Sequence, residues 1–268
     1  SSKSVNIATF HSFQETKRWY FFCGSAVLKH WFKRLDNCIA VSPAAEKHIG
    51  RYFPHDYKII PNGIDLNHFN DNVEPLPEFC DEKLNILFVG RLEKRKGLKY
   101  LLDAYSRLKW DFPLTRLIVV GPGNIDKDCH RILSERNLKD VVFLNSVPYS
   151  ELPRYYKSAQ IFCTPATGKE SFGIVLLEAM ATGVPIVASR IEGYSNIITH
   201  GKQGLLVPPS NGETLANALT LLIRDPELRK SMSLQGISTA TKYRWELVAK
   251  KVEELYQTTL EAKNGSKN

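Results

Sequence analysis

From Leu84 onward the chain repeats one pattern: a short run of apolar, largely β-branched residues, a Gly or small polar turn, then a helical stretch. The runs are Leu84–Val89, Leu117–Val120, Val141–Leu144, Ile161–Cys163, Pro185–Ala188 and Gly204–Val207. Helical patterns occupy about 98–110, the stretch after Gly121-Pro122-Gly123 to about 137, 150–158 and 173–181, and three more near 211–224, 226–238 and 244–262 close the chain. Strands this short and this apolar are buried on both faces, and a helix after each one returns the chain so that the next lies parallel. The pattern predicts an α/β fold with a parallel sheet covered by helices on both sides.

The first 75 residues are less regular. A strand at Val5–Phe10 leads into an aromatic and basic stretch, Phe13–Leu35. A second strand is predicted at Cys38–Ser42. Ser42 suits an N-cap, with Pro43 at the first position of a helix running to about Tyr52, before Pro54. Lys58–Ile60 reads as a third strand and Pro61-Asn62-Gly63-Ile64-Asp65 as a turn. Residues 70–83, with Pro75 and Pro77 among acids, read as a linker.

Composition narrows the class. Of 268 residues, 43% are hydrophobic and 24% charged, which excludes a disordered or collagen-like chain. No apolar run approaches the ~18 residues of a spanning helix. The net charge of +8 suits an anionic partner: nucleic acid, a membrane surface or a phosphorylated ligand. The basic residues are spread along the chain, and neither a basic helix nor an aromatic single-strand platform supports nucleic acid. Cys23, Cys38, Cys80, Cys129 and Cys163 are odd in number and form no CxxC pair. They read as free thiols of a reducing compartment rather than as zinc ligands or a disulfide framework.

Open parallel sheets bind ligands beyond the carboxyl ends of their strands, so the chemistry belongs in the strand-to-helix loops. In Gly90-Arg91-Leu92-Glu93-Lys94-Arg95-Lys96-Gly97, Arg91 and Lys96 offer a planar fork and a point charge suited to a diphosphate. A solvated basic loop is the plainer alternative. In Gly168-Lys169-Glu170-Ser171-Phe172-Gly173, a polar loop meets a helix start whose free N–H groups favour anions, and Ser171 and Gly173 are small enough to admit phosphate. Glu170 and Glu178 would be about 12 Å apart along a helix axis, too far for a coupled acid–base pair. That spacing suits one carboxylate for each of two sugars at the ends of a nucleoside diphosphate. Glu178, between Leu-Leu and Ala-Met, sits in a mostly buried helix and needs a partner. Gly121-Pro122-Gly123-Asn124 lacks the third Gly and the later acid of a dinucleotide site, so hydride transfer is disfavoured. His11, after the first strand, suits either a substrate contact or a structural hydrogen bond. The stretch 13–35 suits either a membrane interface or a helix with its aromatics in the core.

The run Glu170-Ser171-Phe172-Gly173-Ile174-Val175-Leu176-Leu177-Glu178-Ala179-Met180-Ala181, followed by Gly183-Val184-Pro185-Ile186-Val187-Ala188-Ser189, resembles the signature of the retaining family 4 glycosyltransferases of GT-B fold. Gly90-Arg91 with Lys96-Gly97, Val41-Ser42, Pro61–Asp65 and Gly204–Val207 fall in that family's order. Ala8-Thr9-Phe10-His11 and Gly168–Gly173 bring the chain nearest to phosphatidylinositol mannosyltransferases and their relatives.

The resemblance implies two Rossmann-like domains facing a cleft. Residues 1–75 would be the C-terminal part of the acceptor-side domain, 76–243 the nucleotide-sugar domain, and 244–268 a helix returning to the first domain, with a polar tail. Family members carry a longer segment before the His11 strand, with a glycine-rich loop, so the chain is expected to be N-terminally truncated. Arg91 and Lys96 would hold the diphosphate, Glu170 the donor-sugar hydroxyls and Glu178 the ribose. The backbone of Phe172, Gly173 and Ile174, with Ser171, would lie by the phosphates and sugar, Val147 by the base, and His11 in the cleft.

The implied activity moves a hexosyl group, mannosyl foremost, from a GDP- or UDP-sugar to a lipid or polysaccharide acceptor. No metal or other cofactor is required by the resemblance. A cytoplasmic enzyme touching the anionic inner face of a membrane is implied, with no nucleic-acid partner. The competing readings are an inactive nucleotide-sugar-binding module and a GT-B UDP-sugar epimerase.

Overall fold

A computed structural model of the chain describes residues 4–11 and 30–265. Among these residues two parallel sheets form. The first has three short strands, β1 (Ile7–Phe10), β2 (Asn37–Ala40) and β3 (Tyr57–Ile59), in the order β1-β2-β3. Its register pairs Ile7 with Asn37 and Cys38 with Tyr57. Between β2 and β3 lies α1 (Pro43–Gly50), with Pro43 in its first turn and Ser42 as N-cap, accepting from the Ala45 N–H at 3.0 Å. The cap and the proline place the helix start where the sequence predicts it.

The second sheet contains β4 (Leu84–Val89), β5 (Thr115–Val120), β6 (Val141–Leu144), β7 (Ile161–Thr164), β8 (Ile186–Ser189) and β9 (Gly204–Val207). Its order is β6-β5-β4-β7-β8-β9, with every pairing parallel. The chain starts at the centre with β4, builds outward to β6, then crosses back to β7 and builds the other way. That reversal opens a crevice beyond the carboxyl ends of β4 and β7, where ligands bind in such sheets.

Helices cover both faces: α2 (Leu98–Asp111), α3 (Lys127–Glu135), α4 (Leu152–Lys157), α5 (Ile174–Ala181), α6 (Glu192–Ser195), α7 (Gly212–Arg224) and α8 (Pro226–Ala240), and the chain then enters α9 (Trp245–Gly265). One apolar layer packs Leu101, Leu102, Leu215 and Leu219 of α2 and α7 against Ile86 and Val119. The other packs Leu176, Leu177 and Met180 of α5 against Leu87, Ile118 and Phe162, and continues into Ala40 and Phe53 of the first unit.

The chain crosses between the sheets twice, side by side. Ile64 donates to the Tyr243 carbonyl at 2.8 Å, and Trp245 donates to the Ile64 carbonyl at 3.3 Å. Beyond that crossing α9 lies on the first sheet: Val248 packs with Ile39 and Ile60, the Asn37 amide donates to Thr259 Oγ1 at 2.8 Å, and Lys263 pairs with Asp36 at 2.8 Å.

Two expectations are corrected. Residues 70–83 are not an open linker. Leu76 and Phe79 are buried around a single 3₁₀ turn, Pro77–Phe79, and the Leu76 N–H donates to Ser158 Oγ at 2.9 Å. Prolines among acids suggested a loop, but two large side chains three residues apart anchor it. Strand β5 begins two residues before its apolar run, because Thr115 and Arg116 are buried with partners of their own. Arg116 reaches Asn85 Oδ1 at 3.2 Å and also Asp81. The polar residues disguise a strand that is buried along its whole length.

Candidate active site

The loops after β4 and β7 meet over the crevice. The first contains a 3₁₀ turn, Lys94–Lys96, ended by Gly97 at φ 75°. A Cβ on Gly97 would lie 1.9 Å from the Pro165 carbonyl oxygen of the second loop. Only glycine permits both that conformation and that approach. The backbones are also hydrogen-bonded, Thr167 N–H to the Arg95 carbonyl at 2.8 Å.

A chain of alternating charge runs from the rim inward. Arg91 Nη1 meets Glu93 Oε1 at 2.9 Å, and Glu93 Oε2 meets Arg95 Nε at 2.7 Å. Arg95 Nη1 lies 2.5 Å and Lys96 Nζ 2.7 Å from the same atom, Glu170 Oε1. The Arg91 side chain is 63% exposed, whereas those of Lys96 and Glu170 are only 14% and 12% exposed. Three cations face two carboxylates, so one positive charge is in excess at the mouth of a partly dehydrated crevice. An anion there would be held by charge-assisted hydrogen bonds. The structure thus brings Arg91, Lys96 and Glu170 into one network, with Arg91 at its outer end.

Glu178 lies in α5, and its partner is Tyr156 of α4, whose hydroxyl donates to Oε2 at 2.7 Å. Burial pushes the Glu178 carboxyl above its ordinary range, opposed by the Tyr156 hydrogen bond and by nearby His68. Burial, with Glu178 adding to it, also raises the Tyr156 phenol well above its ordinary value. Phe69, fully buried, stands edge-on to both Tyr156 and Tyr149. His68 stacks on the exposed Tyr149 with ring centroids 4.4 Å apart.

Ser171 Oγ donates to the backbone carbonyl of His11 at 2.6 Å, so His11 reaches the loop through its main chain. Phe172 is buried, edge-on to Tyr243 at 6.0 Å. Gly173, at φ 88°, opens α5, and a Cβ there would meet the Tyr194 ring at 2.7 Å. Ile174, the first residue of α5, is exposed. Val147 lies beyond the end of β6, packed against the core layer shared with the first unit.

Sequence reasoning missed Glu93 and Arg95 as members of the charged chain, and the Tyr156 partner of Glu178. The demand that a buried acid find a donor signalled that some partner existed, but nothing local named it. The aromatic and basic stretch 13–35 falls largely outside the described residues. Of its described part, Phe32 stacks on Phe53 at 4.0 Å in the core, whereas Trp31 is exposed with the Arg34 guanidinium 4.8 Å from its ring centroid. Cys38, Cys80, Cys129 and Cys163 are free thiols, and burial pushes Cys38 up to about 11 and Cys129 to about 12. Among the described residues no His, Cys, Asp or Glu cluster could hold a metal ion, and no helix is long and apolar enough to cross a membrane.

A six-stranded doubly wound sheet with a charged crevice at its switch point, joined to a second parallel sheet, is the architecture of the GT-B fold. The solved sucrose-phosphate synthase from Thermosynechococcus elongatus superposes with a TM-score of 0.80 at 26% identity, over 96% of this chain and 68% of that one. Anabaena Alr3699/HepE, solved in complex with UDP and glucose, shares the fold with a TM-score of 0.82 at 20% identity, over 94% and 71%. The profile of the family "Glycosyl transferases group 1" matches residues 74–239, and the chain belongs to that family. It is 33% identical over 265 residues to the phosphatidyl-myo-inositol mannosyltransferase of Mycobacterium leprae, covering 97% of this chain and 68% of that protein. It is 34% identical over 215 residues to the D-inositol 3-phosphate glycosyltransferase of Corynebacterium urealyticum, covering 75% and 50%. The fold and the enzyme class expected from the resemblance are both borne out.

Proposed function

We propose that this glycosyltransferase moves a mannosyl group from GDP-mannose, or a related hexosyl group from a UDP-sugar, to an inositol-bearing lipid or a polysaccharide, with retention of configuration. The Arg95–Lys96–Glu170 cluster at the β4/β7 crevice carries this reading. The mannosyltransferase relative favours mannose, and the two inositol-directed relatives favour an inositol acceptor.

In the reaction the bond from the sugar C1 to the diphosphate oxygen breaks, and a bond from C1 to an acceptor hydroxyl oxygen forms. The hydroxyl proton passes to the departing diphosphate. Negative charge grows on that diphosphate, and Lys96, Arg95 and, from the rim, Arg91 oppose it. With both inner cations on Oε1 of Glu170, Oε2 is the oxygen we assign to the donor-sugar hydroxyls. The start of α5 offers its free N–H groups at Phe172, Gly173 and Ile174 to phosphate. Glu178 accepts from the ribose hydroxyls, Val147 borders the base, and His11 lines the acceptor side. These roles need no divalent ion, so a chelator should leave the rate unchanged.

Calorimetric titration with GDP and UDP tests the site. Binding of one of them, with Lys96→Ala lowering the transfer rate by about 10²-fold or more, is expected. No binding of either nucleotide overturns the reading. Acceptor contact at an anionic membrane is read from Trp31, Lys33 and Arg34. Sedimentation with phosphatidylinositol vesicles should weaken in Lys33→Ser/Arg34→Ser, and unchanged sedimentation would remove the membrane from the account.

A further inference from the structure

Ser42 makes two hydrogen bonds with one hydroxyl. It accepts from the Ala45 N–H as the cap of α1, and it donates to the carbonyl of Ser171 in the β7–α5 loop. Ser42 is only 2% exposed, so water does not compete for either bond. Ser171 reciprocates with its own hydroxyl, which donates to the His11 carbonyl just past β1. Further along α1, Lys47 meets Glu192 of α6 at 3.2 Å. That exposed pair adds little energy, but it shows the same helix following the same seam.

The loop needs such support. Lys169 sits at φ 61° and Gly173 at φ 88°, so the residues between them belong to no regular ladder. The near side is tied to its own sheet, through Thr167 N–H to Arg95 O and Arg95 Nη1 to Lys169 O. The far side is tied to the other sheet, through Ser42 and His11. Because a trans peptide is planar, holding the Ser171 carbonyl toward the three-stranded sheet turns the Phe172 N–H the opposite way.

We propose that Ser42 is a positioning residue for the transfer reaction. From the acceptor-side sheet it fixes the Ser171–Phe172 peptide, and with it Glu170 and the start of α5. The proposal rests on the assignment of Glu170 and the α5 start to the donor. Displacements of about 1 Å at reacting groups cost on the order of 10² in rate, so one hydrogen bond at this point has leverage. It also makes donor geometry depend on the two sheets being together.

Two substitutions separate positioning from capping. Ser42→Thr keeps both bonds. Ser42→Asp keeps a good N-cap acceptor but has no proton to donate, and sets a negative charge against the Ser171 carbonyl. The measurements are hydrogen exchange of residues 170–174, GDP affinity by calorimetry, melting temperature, and GDP release from GDP-mannose with phosphatidylinositol vesicles as acceptor.

Ser42→Thr is expected to match the wild type throughout. Ser42→Asp is expected to lose melting temperature, because its carboxylate is buried against a carbonyl, yet, when assayed well below its transition, to bind GDP within about threefold while kcat falls about tenfold. Exchange in 170–174 is expected to quicken in Ser42→Asp by a similar factor. Wild-type exchange and kcat in Ser42→Asp overturn the proposal. So does a loss in both variants that merely tracks melting temperature, since that is a packing role. If the wild type does not turn over GDP-mannose, the donor and acceptor assignment fails, and the exchange measurement still decides Ser42. If Glu170→Gln keeps the wild-type rate, the role given to Glu170 fails separately.

Discussion

At the scale of single residues, Glu178 is the most telling side chain, because the fold takes a carboxylate out of water and gives it one phenol as a donor. Burial is the largest influence on it and raises its pKa above the ordinary 4.5. The sign follows. A carboxyl that holds its proton more tightly when folded contributes stability in full below its unfolded value. That contribution is lost as pH rises through the higher folded value. Wild type should therefore lose melting temperature relative to Glu178→Gln as pH rises from about 4.5, and parallel thermal melts across that range would show it. Curves that stay parallel would mean the carboxyl is not desolvated. Glu178→Ala should behave differently, since it leaves the buried Tyr156 hydroxyl only the long contact to the Val175 carbonyl at 3.5 Å. A loss of about 1–3 kcal/mol is expected in denaturant titration, before any effect on nucleotide binding is counted.

At the scale of elements, the crevice exists because two loops approach closer than any side chain allows. Gly97→Ala should test this sharply. Its Cβ would collide with the Pro165 carbonyl, a backbone atom that cannot swing aside, and φ 75° disfavours alanine besides. A loss of about 2–4 kcal/mol, with nucleotide binding weakened as well, is expected. Gly201→Ala is the internal control. Its φ of 83° is similar, but nothing lies within 4 Å of the added carbon. It should cost only about 1 kcal/mol and leave nucleotide binding alone. Denaturant titration of the two variants, followed by calorimetry, separates strain from collision.

Much at this scale was legible beforehand. The bounds of β4, β6 and β9 coincide with their apolar runs, and the Ser42 cap with Pro43 marked the start of α1. These are local signals of hydrophobicity, proline and capping chemistry. What escaped was set by distant partners. Arg95 is joined to Glu170 across 75 residues, Ser42 to Ser171 across 129, and Ser171 to His11 across 160. No periodicity within a loop reveals which cations of Lys94-Arg95-Lys96 will face a carboxylate in another loop. The short α6 escaped for a related reason, since four residues are too few to show a helical period.

At the scale of the whole molecule, the two sheets are held by the paired crossing at Ile64 and Tyr243–Trp245, and by α9 lying back on β1–β3. The apolar part of that return is small: Val248 with Ile39 and Ile60, flanked by Ile7, Val252 and Leu255. The second sheet has a core on both faces, one layer of which continues into the first unit through Ala40 and Phe53. The two units should therefore differ in how they respond to damage at α9. Val248→Asp places a carboxylate among apolar side chains that offer it no partner, at a cost of several kcal/mol unless the contact opens. The cheaper outcome is opening. Hydrogen exchange in β1–β3 should quicken markedly in this variant, while β4–β9 keep wild-type protection and the Glu178–Tyr156 pair stays intact. GDP should still bind, since the Arg95–Lys96–Glu170 cluster lies within the second unit, whereas transfer should fall as the three-stranded sheet, to which the proposed function gives the acceptor, loosens. Equal loss of protection in both sheets would show instead that they fold as one cooperative body, with α9 as part of a common core.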